Sequence, residues 1–367
     1  MFVRNAWYAA GFSDEFGRHL LARTFLGEAV VIYRTVEGTP VAFEDRCAHR
    51  RLPLSMGRLI DDSLECGYHG LVYDCTGACV KIPGQSRASI PAGARVRTYP
   101  LVDRHFYLWI WMGDPALADS GLIPDYSRLE TPGMDRHRIE LHLECNFQLV
   151  VDNLLDLSHL AYVHSTTTGS PALAEDAVVK TVRNGDTVQI KRWVRDVLPS
   201  PTFVQFGGFE GRVNLWQVSQ YAPPTYVTVS YGSSDAGVPM REDDDVWSHG
   251  AWGFNVLHGL TPETERTTHQ FRYVAYSPTF GDKAAIAEFL RQCDQIITED
   301  RDIFLVQQKA LDADHRGFTA YDMRSAAAIH ADQGLALARR IHEQRRQAES
   351  REPAPVAVAR QAERTIP

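Results

Sequence analysis

Cys47-Ala48-His49 and Cys66-Gly67-Tyr68-His69 stand sixteen residues apart, and each arm offers one thiolate and one imidazole. Zinc fingers usually group like ligands, as C-x2-4-C followed by H-x3-5-H, whereas both arms here are mixed. A mixed set suits a two-iron cluster in which both cysteines take one iron and both histidines the other. Two neutral imidazoles in place of two thiolates raise the potential of such a [2Fe-2S] centre to somewhere within roughly −150 to +300 mV, so it accepts electrons readily.

That ligand set is the Rieske type. The bland alternative is four unrelated residues, and a structural zinc site is the other. Context argues against the first: Val41-Ala42-Phe43 leads into one arm and Gly70-Leu71-Val72-Tyr73 leaves the other, which places both at turns between strand-like runs. Paired loops at hairpin tips are what a cluster needs.

The chain has 367 residues, 44% hydrophobic and 23% charged, enough for two or three domains and a large core. A formal net charge of −8, with no basic stripe, argues against nucleic acid as a partner. The start, Met1-Phe2-Val3-Arg4-Asn5-Ala6-Trp7-Tyr8, does not read as a signal peptide, and the longest strongly apolar run, Phe106 to Met112, is too short for a membrane span. A cytoplasmic protein is expected. Cys75, Cys79, Cys145 and Cys293 read as reduced thiols, with Cys75-x3-Cys79 a weaker candidate for a third metal arm.

The pattern along the chain predicts an α+β fold. Short strands occupy 28–112: Ala29 to Tyr33, Val41 to Phe43, and Phe106 to Trp111 closing at Gly113-Asp114-Pro115. Residues 1–120 are therefore expected to form an all-β cluster domain, with a linker over 114–135. A second domain, 121–348, opens with a helical run from Cys145 to His164 and continues in a mainly antiparallel sheet. Its expected strands are 181–183 and 187–194 around an Asn184-Gly185 turn, then 213–221, 226–231, 251–257 and 268–276. Helical periodicity marks 282–310 and 325–346, Arg241 to Asp245 reads as a solvated loop, and 349–367 as a disordered tail.

The segment Phe147 to His164 is apolar on most faces, so a helix there is deeply buried and its polar residues need partners. Asn153, Asp156 and His159 recur every three residues. His159 and His164 are five apart, about 140° around an ideal helix, so both reach one ion only if the helix ends or widens between them. A carboxylate is needed from elsewhere. In the helix Ile286 to Phe304 the inner stripe runs through Leu290, Cys293, Ile297 and Phe304, and Asp300 fills its missing position, whereas Glu299 and Asp302 read as surface charge. Two histidines and one carboxylate with open positions form the facial triad of non-haem Fe(II) oxygenases. Asp156 would orient His159 from behind, and with Asn153 it completes the expected catalytic set.

With both sites in place, the chain resembles the Rieske non-haem iron oxygenases of the vanillate and dicamba O-demethylase and toluenesulfonate methyl-monooxygenase type. The likeness runs through Asn5-Ala6-Trp7-Tyr8, the two arms, Ile82-Pro83-Gly84-Gln85, Val151 to Asp156 and Leu260 to Glu265. Ala48 departs from it, since many relatives have proline between the ligands. The resemblance implies a trimer in which the cluster of one chain faces the mononuclear iron of the next, with Asp156 bridging the interface to His159. It implies a helix-grip catalytic domain. It also implies an NADH-dependent flavin and iron-sulfur reductase as electron donor, which fits the lack of any G-x-G-x-x-G; Gly207-Gly208-Phe209-Glu210-Gly211 has the wrong spacing. The expected reaction inserts one oxygen of O2 into a methyl or methoxy group of a small aromatic acid. Ring cis-dihydroxylation is the alternative in the same class, and a Rieske electron carrier without catalysis the alternative outside it. By the same resemblance His258 contacts substrate and Arg291 occupies a pocket position, although nine residues place Arg291 about 180° from Asp300 on an ideal helix.

Overall fold

The computed structural model of the chain describes residues 2–239, 252–278, 281–315 and 332–351. The loop Arg241 to Asp245, residues 325–331 and the tail beyond 351 lie outside them. The first part is all β: β1 (Trp7–Phe12), β2 (Leu21–Phe25), β3 (Glu28–Arg34), β4 (Pro40–Glu44), β5 (Arg58–Ile60), β6 (Ser63–Glu65), β7 (Val72–Tyr73), β8 (Cys79–Lys81), β9 (Leu101–Arg104) and β10 (Tyr107–Trp111). They form three antiparallel sheets, ordered β1-β10-β9, β2-β3-β4 and β5-β6-β7-β8.

Side chains alternate along a strand, so one strand can feed two cores. In β3, Val30 and Ile32 join Tyr8, Leu108 and Ile110, while Val31 and Tyr33 join Phe43, Cys47, Cys66 and Tyr73. The core that supports the two cysteines is thus the far side of the same strand.

After β11 (Asp135–Leu143) come α1 (Phe147–Leu155), α2 (Leu160–Val163), α3 (Pro171–Glu175), β12 (Val178–Asn184), β13 (Thr187–Val197) and α4 (Pro201–Gly207). Then follow β14 (Val213–Ala222), β15 (Tyr226–Asp235), β16 (Trp252–Pro262), β17 (Thr268–Tyr276), α5 (Lys283–Ala313) and α6 (Asp332–Arg351). The seven strands form one antiparallel sheet, β11-β17-β16-β15-β14-β13-β12, and α1 lies across β14, β15 and β16.

The burial pattern follows from what covers each face. The edge strands β11 and β12 alternate between exposed and half-buried positions, whereas all of β17 and all but the first residue of β16 are buried. Helices cover one face of the central strands and β1 and β10 cover the other. Tyr107 Oη donates to the carbonyls of Leu257 (3.3 Å) and Phe271 (3.1 Å), and Thr261 Oγ1 donates to Ala9 O (2.7 Å). The approach is close enough to require glycine at 259, where a Cβ would stand 2.8 Å from that of Ala9.

Two local expectations shift. Asn184 pairs with Thr187, so the hairpin loop is Gly185-Asp186, one residue later than expected, with Gly185 supplying the positive φ of 58°. Residues 349–351 belong to α6 and not to the tail, because Glu349 accepts the backbone N–H groups of Arg4 and Asn5, each at 2.7 Å. The same helix is tied to α1 through Arg339 and the largely buried Asp152.

Candidate metal centres

The two arms meet. Cys47 opens its turn by donating its N–H to Leu52 O (2.9 Å), and Cys66 opens the other by donating to Leu71 O (2.8 Å). The second arm is a hairpin tip between β6 and β7; the first instead connects two sheets, running from β4 towards β5. Gly67 allows the arms to touch, since a Cβ there would lie 2.6 Å from Met56 O. Cys47 and Cys66 are each 2% exposed, whereas His49 and His69 are exposed with rings 4.6 Å apart. Burial pushes the Cys66 thiol up, and neighbouring Cys47 adds to the effect. A buried thiol pair beside an exposed imidazole pair fits a cationic cluster with an inner sulfur-ligated iron and an outer nitrogen-ligated one. Tyr73 Oη stands 3.2 Å from Cys47 Sγ and accepts the Ala48 N–H at 3.1 Å, which holds the first arm in place.

The second site is built where a helix breaks. α1 stops at Leu155, Asp156 takes non-helical angles (φ −113°, ψ 87°), and a 3-10 turn spans Leu157–His159. α2 ends at Val163, leaving His164 outside it at φ −114°, ψ 34°. This is the ending that the five-residue spacing requires. Asp300 comes from α5, on a buried stripe of Phe289, Cys293, Ile297, Asp300 and Phe304; Phe289 takes the place expected for Leu290.

His159 Nε2 and His164 Nε2 lie 3.5 and 3.1 Å from Asp300 Oδ1, and the three donor atoms are all within 4.8 Å of one another. Each histidine is held by its other nitrogen: His159 Nδ1 is 2.6 Å from Asp156 O, and His164 Nδ1 is 2.7 Å from Glu299 Oε2. That arrangement turns both Nε2 atoms inward. Burial would raise the Asp300 carboxyl, but hydrogen bonds to the two imidazoles outweigh it and hold the group well below the usual carboxylate range. Burial would lower His164, and the acids Asp300 and Glu299 reverse this, so its value is raised. Asn153 Nδ2 lies 3.3 Å from Asp300 Oδ1 and 3.4 Å from His159 Nε2, while its Oδ1 is buried without a partner. Two imidazoles, a carboxylate that stays ionised and an orphaned amide oxygen fit a divalent metal ion.

Several placements differ from the sequence reading. Glu299 is not merely surface charge: it flanks the metal stripe and reaches His164. A helical wheel sets it about 100° from Asp300, which hides it, because the wheel does not show how far a ring on another element extends. Asp156 holds His159 through its backbone carbonyl, whereas its carboxylate accepts from Ser158 N (3.0 Å) and Ser158 Oγ (2.7 Å). His258 lies buried on β16, its Nδ1 2.9 Å from Gln270 Nε2; burial, with Arg272 adding, drives its pKa well below the usual histidine range, so the ring is neutral. Arg291 is not brought to the site. It lies exposed on α5, bound to Glu288 by two hydrogen bonds of 2.7 Å, as its half-turn offset from Asp300 dictates.

Residues 6–100 match the Rieske [2Fe-2S] domain, and residues 143–348 match the vanillate O-demethylase oxygenase C-terminal domain. The chain is 37% identical to a toluene-4-sulfonate monooxygenase system iron-sulfur subunit of Comamonas testosteroni, over 85% of this chain and 89% of that one. It is 32% identical to the vanillate O-demethylase oxygenase subunit of a Pseudomonas species, over 93% and 94%. The crystal structure of dicamba monooxygenase bound to 3,6-dichlorosalicylic acid superposes with a TM-score of 0.85 at 29% identity, covering 96% of this chain and 99% of that one. A structure of dicamba monooxygenase with non-haem iron and dicamba gives a TM-score of 0.76 at 27% identity, covering 95% and 98%.

Proposed function

Because the chain belongs to the Rieske non-haem iron oxygenases of the vanillate O-demethylase type, we propose that it oxidises a methyl or methoxy group of a small aromatic acid. It is the oxygenase component of a multicomponent monooxygenase and carries a Rieske [2Fe-2S] cluster and a mononuclear non-haem iron. Electrons reach it from a separate reductase, which we assign to the NADH-dependent flavin and iron-sulfur class.

When bound, the cluster supplies stored electrons and the single iron supplies oxygen activation. The chain's own residues do the rest. Cys47 and Cys66 hold the inner iron of the cluster and His49 and His69 the outer one; His159, His164 and Asp300 hold the single iron. Asp156 and Glu299 fix the two imidazoles by their Nδ1 atoms, and Asn153 closes the near side of the triad. His258, neutral and braced by Gln270, offers substrate a hydrogen bond without a competing charge. In the homotrimer we envisage, the exposed His49 and His69 face a neighbouring chain, and Asp156 carries the link to its iron site. A reducing, cytoplasmic location belongs to this proposal, since Cys75, Cys79, Cys145 and Cys293 stand as unpaired thiols beside the two cluster ligands. No helix among the described residues is long and apolar enough to cross a membrane.

The observation that carries the reading is the closure of two independent metal sites by one chain. The overall reaction consumes O2, two electrons and two protons: an aryl methyl ether gives a phenol, formaldehyde and water, and an aryl methyl group gives the benzylic alcohol and water. Turnover of methoxylated and methylated aryl acids with a surrogate reductase and NADH tests it. Formaldehyde equimolar with phenol, or benzylic alcohol, is expected. A cis-diol product, or electron uptake with no oxygenated product, would contradict it.

A further inference from the structure

The catalytic sheet buries a cation that none of the roles above uses. Arg192, on β13, is 5% exposed, yet its Nη1 has no hydrogen-bond partner. No carboxylate lies within ion-pair distance of it among the described residues. A buried guanidinium without a counter-ion is among the costliest arrangements in a protein interior. Asp156 acts on it from beyond ion-pair range and does not restore what burial takes away, so its pKa is lowered.

Its position is informative. Ile190 of β13 pairs with Ser219 of β14, whose Oγ donates to Leu154 O at the end of α1 (2.7 Å). Two residues along, Arg192 pairs with Gln217, which is 2% exposed and whose Oε1 is also unpartnered. Side chains two apart share a face, so Arg192 and Gln217 lie on the face that carries α1. α3 packs against both β13 and the His159 turn, which sets this part of the sheet beneath the ligand-bearing segment. The other buried arginine among the described residues, Arg272, is 4% exposed with its Nε likewise unpartnered, but it spends Nη1 on Cys293 O (2.9 Å) and so ties β17 to α5; Arg291 is at the surface.

We propose that Arg192 receives the anionic group of the substrate, a carboxylate or a sulfonate, with the unpaired Gln217 amide beside it, so that the ring spans from the sheet to the metal triad. The assignment rests on the aromatic-acid reading above. A planar fork of donors suits either oxyanion, and a charge-assisted pair in a dry site supplies the counter-ion that the fold withholds.

Calorimetric titration of the metal-loaded chain, without reductase and without oxygen, tests it with 4-methylbenzoate, 4-toluenesulfonate and the neutral 4-methylbenzamide. Wild type should bind at least one anion more tightly than the amide. Arg192→Gln should weaken that anion by about 30-fold, the scale of a charged hydrogen-bond pair, and the amide by less than about twofold. Arg192→Lys should fall between, keeping the charge but not the fork, and Arg291→Gln should change nothing. Equal weakening of anion and amide, or unchanged anion binding in Arg192→Gln, would overturn the assignment while leaving the aromatic-acid reading standing. A wild-type chain that does not discriminate overturns the assignment even if the glutamine variant fails to fold. Wild type that binds none of the three contradicts the aromatic-acid reading itself, and the assignment with it.

Discussion

His164→Ala is expected to abolish product formation while leaving the visible spectrum of the [2Fe-2S] cluster intact. His164 is 1% exposed and is one of the three His or carboxylate donors gathered at the site among the described residues, with Nε2 3.1 Å from Asp300 Oδ1 and Nδ1 committed to Glu299. Losing a ligand should cost more than the roughly 10- to 100-fold typical of losing a residue that merely orients one. The cluster arms are formed between β4 and β7 and take nothing from this residue, so acid-labile sulfide should remain at two per chain while total iron drops by one. Loss of the cluster spectrum together with activity would instead mean that the two sites do not assemble independently.

Asp156→Asn should be nearly as damaging to turnover, by roughly 100-fold, with both metal sites still filled. The geometry sharpens this expectation. His159 Nδ1 is held by the Asp156 carbonyl at 2.6 Å, which asparagine keeps, and the amide oxygen of asparagine can still accept from Ser158. What disappears is the charge that we assign to the link between a neighbouring chain's cluster and this iron. Reduction of the cluster by the reductase should be normal, and its reoxidation in the presence of substrate and O2 should slow. Near-normal turnover would remove Asp156 from the electron route; loss of the mononuclear iron would make it a positioning residue only.

Much of this molecule is legible because its chemistry is local in sequence. Each cluster arm brings its cysteine and histidine within four residues, and the two candidate histidine ligands of the second site sit at either end of the short α2 in one buried segment. Asp300 could be found because a carboxylate on an otherwise apolar stripe needs a partner. The misses share one cause: they depend on what another element places alongside. Glu299 lies off the stripe but reaches the Nδ1 edge of the His164 ring. Asp156 turned out to work on His159 through its main chain, which side-chain type does not reveal. Arg192 sits among the alternating residues of β13 and reads as an ordinary outward-facing charge until the helices covering that face are in place. Similarly, β16 and β17 lose the alternation expected of a half-buried strand because β1 and β10 pack on the face that would otherwise meet water.

The central claim, that one chain carries an electron-storing cluster and a separate iron for oxygen chemistry, is tested most directly by iron and acid-labile sulfide analysis of the fully loaded wild-type protein. Three irons and two sulfides per chain are predicted. Two irons with two sulfides, or zinc in stoichiometric amount at the His159, His164 and Asp300 site, would contradict it.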